Sequence, residues 1–127
     1  MKTKLIAGFA AVAFAFTAGV AMADEGEDLF KKKCGACHAL DADKTGPHLG
    51  GVMGRKAGST EFKKYKAFKG GADFDWTPEL MDEWITDQKK FLKNHADKGV
   101  GKKTGMMVKI KKADERAAII EYLKGAH

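Results

Sequence analysis

The chain is 127 residues long, 44% hydrophobic and 31% charged, with 23 Lys and Arg against 17 Asp and Glu, a formal charge of +6. That length holds one ordinary domain and excludes a multidomain machine. The modest basic excess carries no motif of a recognised nucleic-acid-binding fold, and the two cysteines lie only three positions apart. A disulfide there would close too small a loop to stabilise a fold, which excludes a disulfide scaffold.

From the N-terminus, Lys2 and Lys4 precede an apolar stretch from Leu5 to Val20, which ends in Ala21-Met22-Ala23 before the first acidic residue. These are the three parts of a secretory signal peptide. A membrane helix is the rival reading, but the run is short for a span, Gly8 and Gly19 interrupt it, and its end has the small-x-small form of a cleavage site. Residues 1–23 are therefore expected to be removed, leaving one domain over 24–127.

Asp24 to Lys33 reads as a helix, with acidic residues in its first turn and three lysines at its end to suit the helix dipole. Leu29 and Phe30 supply its apolar face. Between Gly35 and Gly58 the repeated glycines and Pro47 predict loop and turns. Thr77-Pro78-Glu79 is a helix start with Thr77 as N-cap, and Leu80, Met81, Trp84 and Ile85 follow at helical spacing. Phe91 and Leu92 belong to a short further helix, and a Gly/Lys loop runs from Lys98 to Gly105. Asp114 to Lys124 is the last helix, with Ile119, Ile120, Tyr122 and Leu123 as its apolar side and Gly125 as its stop. No strand of convincing length is present, so the expectation is an all-α domain of four to five helices with long loops. So few core residues under so many glycine-bearing loops require something other than side chains to fill the middle.

Cys34-Gly35-Ala36-Cys37-His38 supplies a candidate, because C-x-x-C-H is the attachment signature of c-type haem. One helical turn separates the thiols, so both can reach vinyl groups of one porphyrin while the next residue presents an imidazole to the iron. Three alternatives compete. A zinc site needs two more ligands, and His48, His95 and His127 form no second pair at metal-binding spacing. A thioredoxin-like redox pair needs a preceding strand. A structural disulfide leaves His38 unexplained. Export agrees with haem attachment in the periplasm, so one covalently bound haem c is the expected cofactor, held by Cys34 and Cys37 with His38 on the iron.

From residue 26 to residue 124 the chain resembles the class I cytochromes c, in particular the bacterial periplasmic cytochrome c2 branch. Gly26 and Phe30 stand at the family's helix-crossing spacing, with Ile119 and Tyr122 as their counterparts in the last helix. Gly46-Pro47-His48-Leu49 resembles the Gly-Pro-Asn-Leu turn, whose proline carbonyl accepts a hydrogen bond from the iron-ligating histidine. The resemblance implies that Arg55 lies near a haem propionate and that Tyr65 and Trp76 are propionate hydrogen-bond donors. It also implies that the segment Met106-Met107-Val108-Lys109 supplies the sixth iron ligand, Met106 before Met107. Four departures stand out: His48 replaces an asparagine, Trp84 takes the place of a tyrosine that normally bonds the ligand sulfur and is expected to pack against the haem, Asp87-Gln88 replaces Asp-Pro, and the loop from Asn94 to Gly105 is irregular in length.

The implied function is a monomeric single-electron carrier rather than an enzyme, with neither a small-molecule substrate nor nucleic acid as partner. Its implied donor is a cytochrome bc complex, and its acceptor a photosynthetic reaction centre or a terminal oxidase. The alternative is an open-site haem protein, a peroxidase or gas sensor. Charge layout bears on the partners: Gly71 to Gln88 carries six acidic residues and no basic one, whereas Lys89 to Lys112 carries nine lysines and only Asp97. A lysine-rich face suited to acidic redox partners is expected.

Overall fold

The computed structural model describes residues 22–127. The expected signal peptide therefore lies outside the described residues apart from its last two positions. Four α-helices follow in order: α1 over residues 22–33, α2 over Pro78–Thr86, α3 over Gln88–Asn94 and α4 over Ala113–Gly125, with a 3-10 turn at Ala96–Lys98. Their local causes match their sequences. Thr77 caps α2 by accepting from the Leu80 amide at 3.2 Å, and Pro78 fills the first turn, where no amide donor is missed. Asp87 serves two helices at once. Its amide donates to the Glu83 carbonyl to close α2, and its carboxylate accepts from the Lys90 amide at 3.1 Å to open α3. That carboxylate is held below its usual pKa by the backbone bond and by nearby Lys109.

Helix α4 starts one residue before the expected Asp114 and runs through Gly125, so Gly125 is its last residue rather than its stop. The cap is Ala126, buried in extended backbone. Both α3 and α4 pack on α2. Between α1 and α2 the chain wraps in loops pinned by backbone bonds, including Gly50 N–H to Leu40 O and Ala57 N–H to Phe74 O. Its one extended pairing is an isolated antiparallel bridge between Lys56 and Asp75, in line with the absence of strands expected from the sequence. No helix among the described residues is long and apolar enough to cross a membrane.

The core is aromatic. Phe91, completely buried, stacks on Trp76 with ring centres 5.9 Å apart and meets Trp84 edge-on at 5.3 Å, and Phe68 touches both tryptophans. A second contact fastens the chain ends: Phe30 of α1 lies 5.5 Å from Tyr122 of α4, and between them Gly26 is pressed against the α4 backbone. A β-carbon at Gly26 would collide with the Ala118 carbonyl and sit 2.9 Å from the Tyr122 Cβ. Neither neighbour can yield, since one is backbone and the other the root of a side chain. Gly26→Ala should therefore destabilise the folded protein by about 1–3 kcal/mol, the usual cost of overpacking. Gly125→Ala, which meets nothing within 4 Å, should be neutral or slightly stabilising. Denaturation midpoints of the two variants check this, and equal effects would contradict the crossing geometry.

Candidate functional site

Immediately after α1 the chain turns through residues 34–37, with the Cys34 and Gly35 amides both donating to the Phe30 carbonyl at 2.8 Å and the His38 amide donating to the Cys34 carbonyl at 2.9 Å. The attachment motif is thus an extension of α1, and its three reactive side chains are presented within one tight turn. Cys34 and Cys37 are half-buried and not joined to each other. Burial pushes the Cys34 thiol up to about 11, against the opposing pull of Lys33. A thiol held protonated makes a poor redox nucleophile, which weighs against the thioredoxin-like reading. Nor do any three His, Cys, Asp or Glu side chains among the described residues converge as a metal cage requires.

His38 is fixed from two directions. Its Nδ1 stands 2.7 Å from the Pro47 carbonyl, an oxygen that can only accept, so Nδ1 carries the proton and Nε2 keeps a bare lone pair. Burial lowers its pKa and outweighs the Pro47 bond, which favours the neutral ring that a metal needs. Gly46 lies flat against the imidazole, where a β-carbon would fall on Cε1 and within 2.8 Å of both ring nitrogens. The Gly46 amide donates to the Cys37 carbonyl and the Leu49 amide to Ala39, so the whole 44–50 loop is laid along the attachment motif.

The remaining expected residues divide. Trp84, 6% exposed on α2, donates its indole N–H to the Met106 sulfur at 3.2 Å. Met106 is half-buried against the core, whereas Met107 is 59% exposed. Trp76 is buried beside Trp84, and its amide donates to the Arg55 carbonyl. The Arg55 side chain reaches the Gly50 carbonyl at 3.4 Å, but its buried Nε has no partner, and burial lowers its pKa. The Tyr65 hydroxyl shares a 2.7 Å bond with Thr60 Oγ1. The structure also marks a residue singled out in the sequence only as a departure: Gln88 is buried and bridges two backbone carbonyls. A polar side chain one residue past a helix cap gives no periodic signal, so its burial was not legible beforehand.

These features fit a haem. Two thiols and an imidazole share one turn, the half-buried Met106 thioether lies against the same core, and an orphaned guanidinium nitrogen is suited to a carboxylate. The Cytochrome c family model matches residues 23–127. The chain belongs to the cytochrome c family. It is 36% identical to a cytochrome c2 of Rhodopseudomonas palustris over 110 residues, 80% of this chain and 95% of that protein. In structure it is similar to ferricytochrome c2 from Rhodopseudomonas palustris, with TM-score 0.68 and 32% identity over 83% of this chain and 98% of that one. It is equally similar to cytochrome c2 from Paracoccus denitrificans, with TM-score 0.67 and 35% identity over 80% of this chain and 93% of that one. The protein is thus a class I c-type cytochrome, a cytochrome c2-like electron carrier with covalently attached haem c, and Cys34 and Cys37 stand at the attachment position.

Gly46→Ala tests the packing on His38. With its Nδ1 held by the Pro47 carbonyl, the ring cannot readily retreat from an added methyl. The variant should lose most of its covalently loaded holoprotein or show an altered haem spectrum, while Gly105→Ala, which meets no atom within 4 Å, should retain both yield and spectrum. Parallel expression with haem-stained gels and optical spectra decides between them.

Proposed function

We propose that this cytochrome carries single electrons in the periplasm with its iron held between His38 and Met106, as the mature domain 24–127 after loss of residues 1–23. The observation that carries the axial assignment is the 3.2 Å hydrogen bond from Trp84 Nε1 to Met106 Sδ in a half-buried setting. A thioether in an exposed loop has no reason to be met by a buried indole, unless its position and electron density matter. Met107, with most of its side chain in water, has no such partner.

The bound haem supplies a one-electron couple, which soft thioether ligation biases toward the ferrous state. The chain's own residues do the rest. Cys34 and Cys37 hold the group covalently. His38 offers Nε2 with its orientation set by Pro47. Arg55 would pair a propionate with its orphaned Nε, and buried Trp76, whose amide donates to the Arg55 carbonyl, would be a second donor. Tyr65 shares a bond with Thr60 Oγ1, and with Thr60 as the donor its own hydroxyl proton would be left for a propionate. The aromatic cluster keeps water out, so that little rearranges when the charge changes.

Electrons would come from a cytochrome bc complex and go to a photosynthetic reaction centre or a terminal oxidase. All nine lysines between Lys89 and Lys112 are exposed, which supports an acidic docking partner, although Lys109 spends part of its charge on Asp87 at 3.5 Å.

Met106→Ala should abolish the ferric sulfur-to-iron charge-transfer band and lower the reduction potential by on the order of 100 mV, a fraction of the ≈ 0.8 V that axial ligands command. Met107→Ala should keep both. Optical spectra and redox titration check this, and the reverse pattern would move the ligand to Met107.

A further inference from the structure

Gln88 is the one polar side chain among the described residues that is fully buried, with 1% of its surface exposed. Its Nε2 donates to the Trp84 carbonyl at 2.9 Å and to the Val108 carbonyl at 2.6 Å. Both amide hydrogens are thereby used, while Oε1 is buried with no partner. An unpaired buried carbonyl is costly. Turning the amide over would be worse, since it would set Oε1 against two carbonyl oxygens, so the orientation is dictated by the two acceptors.

Those acceptors belong to the two halves of the sulfur site. Trp84 carries the indole that bonds the Met106 sulfur, and Val108 lies two residues past Met106. On its N-terminal side the chain is tied at Gly101, whose amide donates to the Ala67 carbonyl at 2.7 Å, and the next hold is the neighbouring Thr104 hydroxyl, which accepts from the Met106 amide at 3.0 Å. On its C-terminal side the chain is strapped to the α2–α3 junction at three successive residues: Val108 by Gln88, Lys109 by Asp87 at 3.5 Å, and Ile110 by its amide bond to the Ile85 carbonyl at 2.8 Å. The Lys109–Asp87 pair is half-exposed and holds weakly. Gln88 is the buried strap nearest the sulfur.

We propose that Gln88 is a positioning residue for the sixth ligand: its amide clips the Val108 carbonyl to the Trp84 carbonyl and so keeps Met106 seated beneath the Trp84 indole. This rests on Met106 being the iron ligand. Loss of the clip would let the 105–109 segment swing away more often and leave the iron open to an added ligand in proportion to the time spent open.

The test uses ferric holoprotein and imidazole as the competing ligand. Gln88→Met keeps the volume and removes both donors, and it should bind imidazole about tenfold more tightly than the parent, because the open population rises by that factor. Gln88→Glu, which points carboxylate oxygens at both carbonyls, should go further and weaken the charge-transfer band without added imidazole. If Gln88→Met does not accumulate as holoprotein, Gln88→Asn replaces it, since an amide one methylene shorter cannot span both carbonyls. Unchanged imidazole affinity in the variants would overturn the proposal, as would a gain matched by Thr86→Ala, a change on the exposed side of α2. Failure of the underlying ligand assignment is read separately: the charge-transfer band would then survive Met106→Ala in the parent.

Discussion

A single hydrogen bond, from His38 Nδ1 to the Pro47 carbonyl, organises the side of the molecule where the cofactor is attached. It fixes the tautomer that leaves Nε2 free, and it does so only because the 44–50 loop is laid along the attachment turn. That registration needs Gly46, the residue whose missing side chain lets the loop touch the imidazole face. Lys44 adds an ammonium bond to the Gly35 carbonyl at 2.7 Å, a further tie between the same two segments. Attachment, ligand orientation and loop position are therefore one construction. Helix α1 supports it from behind through its crossing with α4 at Gly26.

Around Met106 the logic differs. Met106 comes from a lysine- and glycine-rich loop with little core of its own, and its place depends on contacts reaching out from α2 and α3. The Trp84 indole meets the sulfur, and Gln88 and the Ile85 carbonyl hold the chain just beyond it. Arg116 of α4 joins the same support, binding Asp82 on α2 at 2.7 Å and the Ile110 carbonyl at 2.9 Å. A rigid attachment turn and a strapped Met106 segment suit an electron carrier, in which little should rearrange between the two oxidation states.

Much of this was legible before any coordinates. The attachment motif, the α2 start at Thr77-Pro78 and the loops between Gly35 and Gly58 are local statements, written in residues whose chemistry acts over a few positions. The Gly26 crossing came from resemblance to a family pattern and agrees with the structure, whereas Trp84 stood out only as a replacement for a tyrosine, and its bond to the Met106 sulfur is seen in the fold. What stayed hidden depends on tertiary neighbours. Nothing in the sequence pairs Gln88 with Val108, twenty positions away, or tells that the Tyr65 hydroxyl turns to Thr60. Gly125 read as a helix stop because glycine favours helix ends, but packing of Ala126 carries α4 one residue further.

In the proposed arrangement both axial positions of the iron are filled by the protein's own residues, His38 and Met106, so that electrons pass without any ligand exchange. Exposure of the native ferrous protein to carbon monoxide tests it most directly. A spectrum unchanged near neutral pH, with a carbon monoxide complex forming readily once Met106 is replaced by alanine, is the predicted result. Rapid complex formation by the native protein would contradict the account and identify an open-site haem protein.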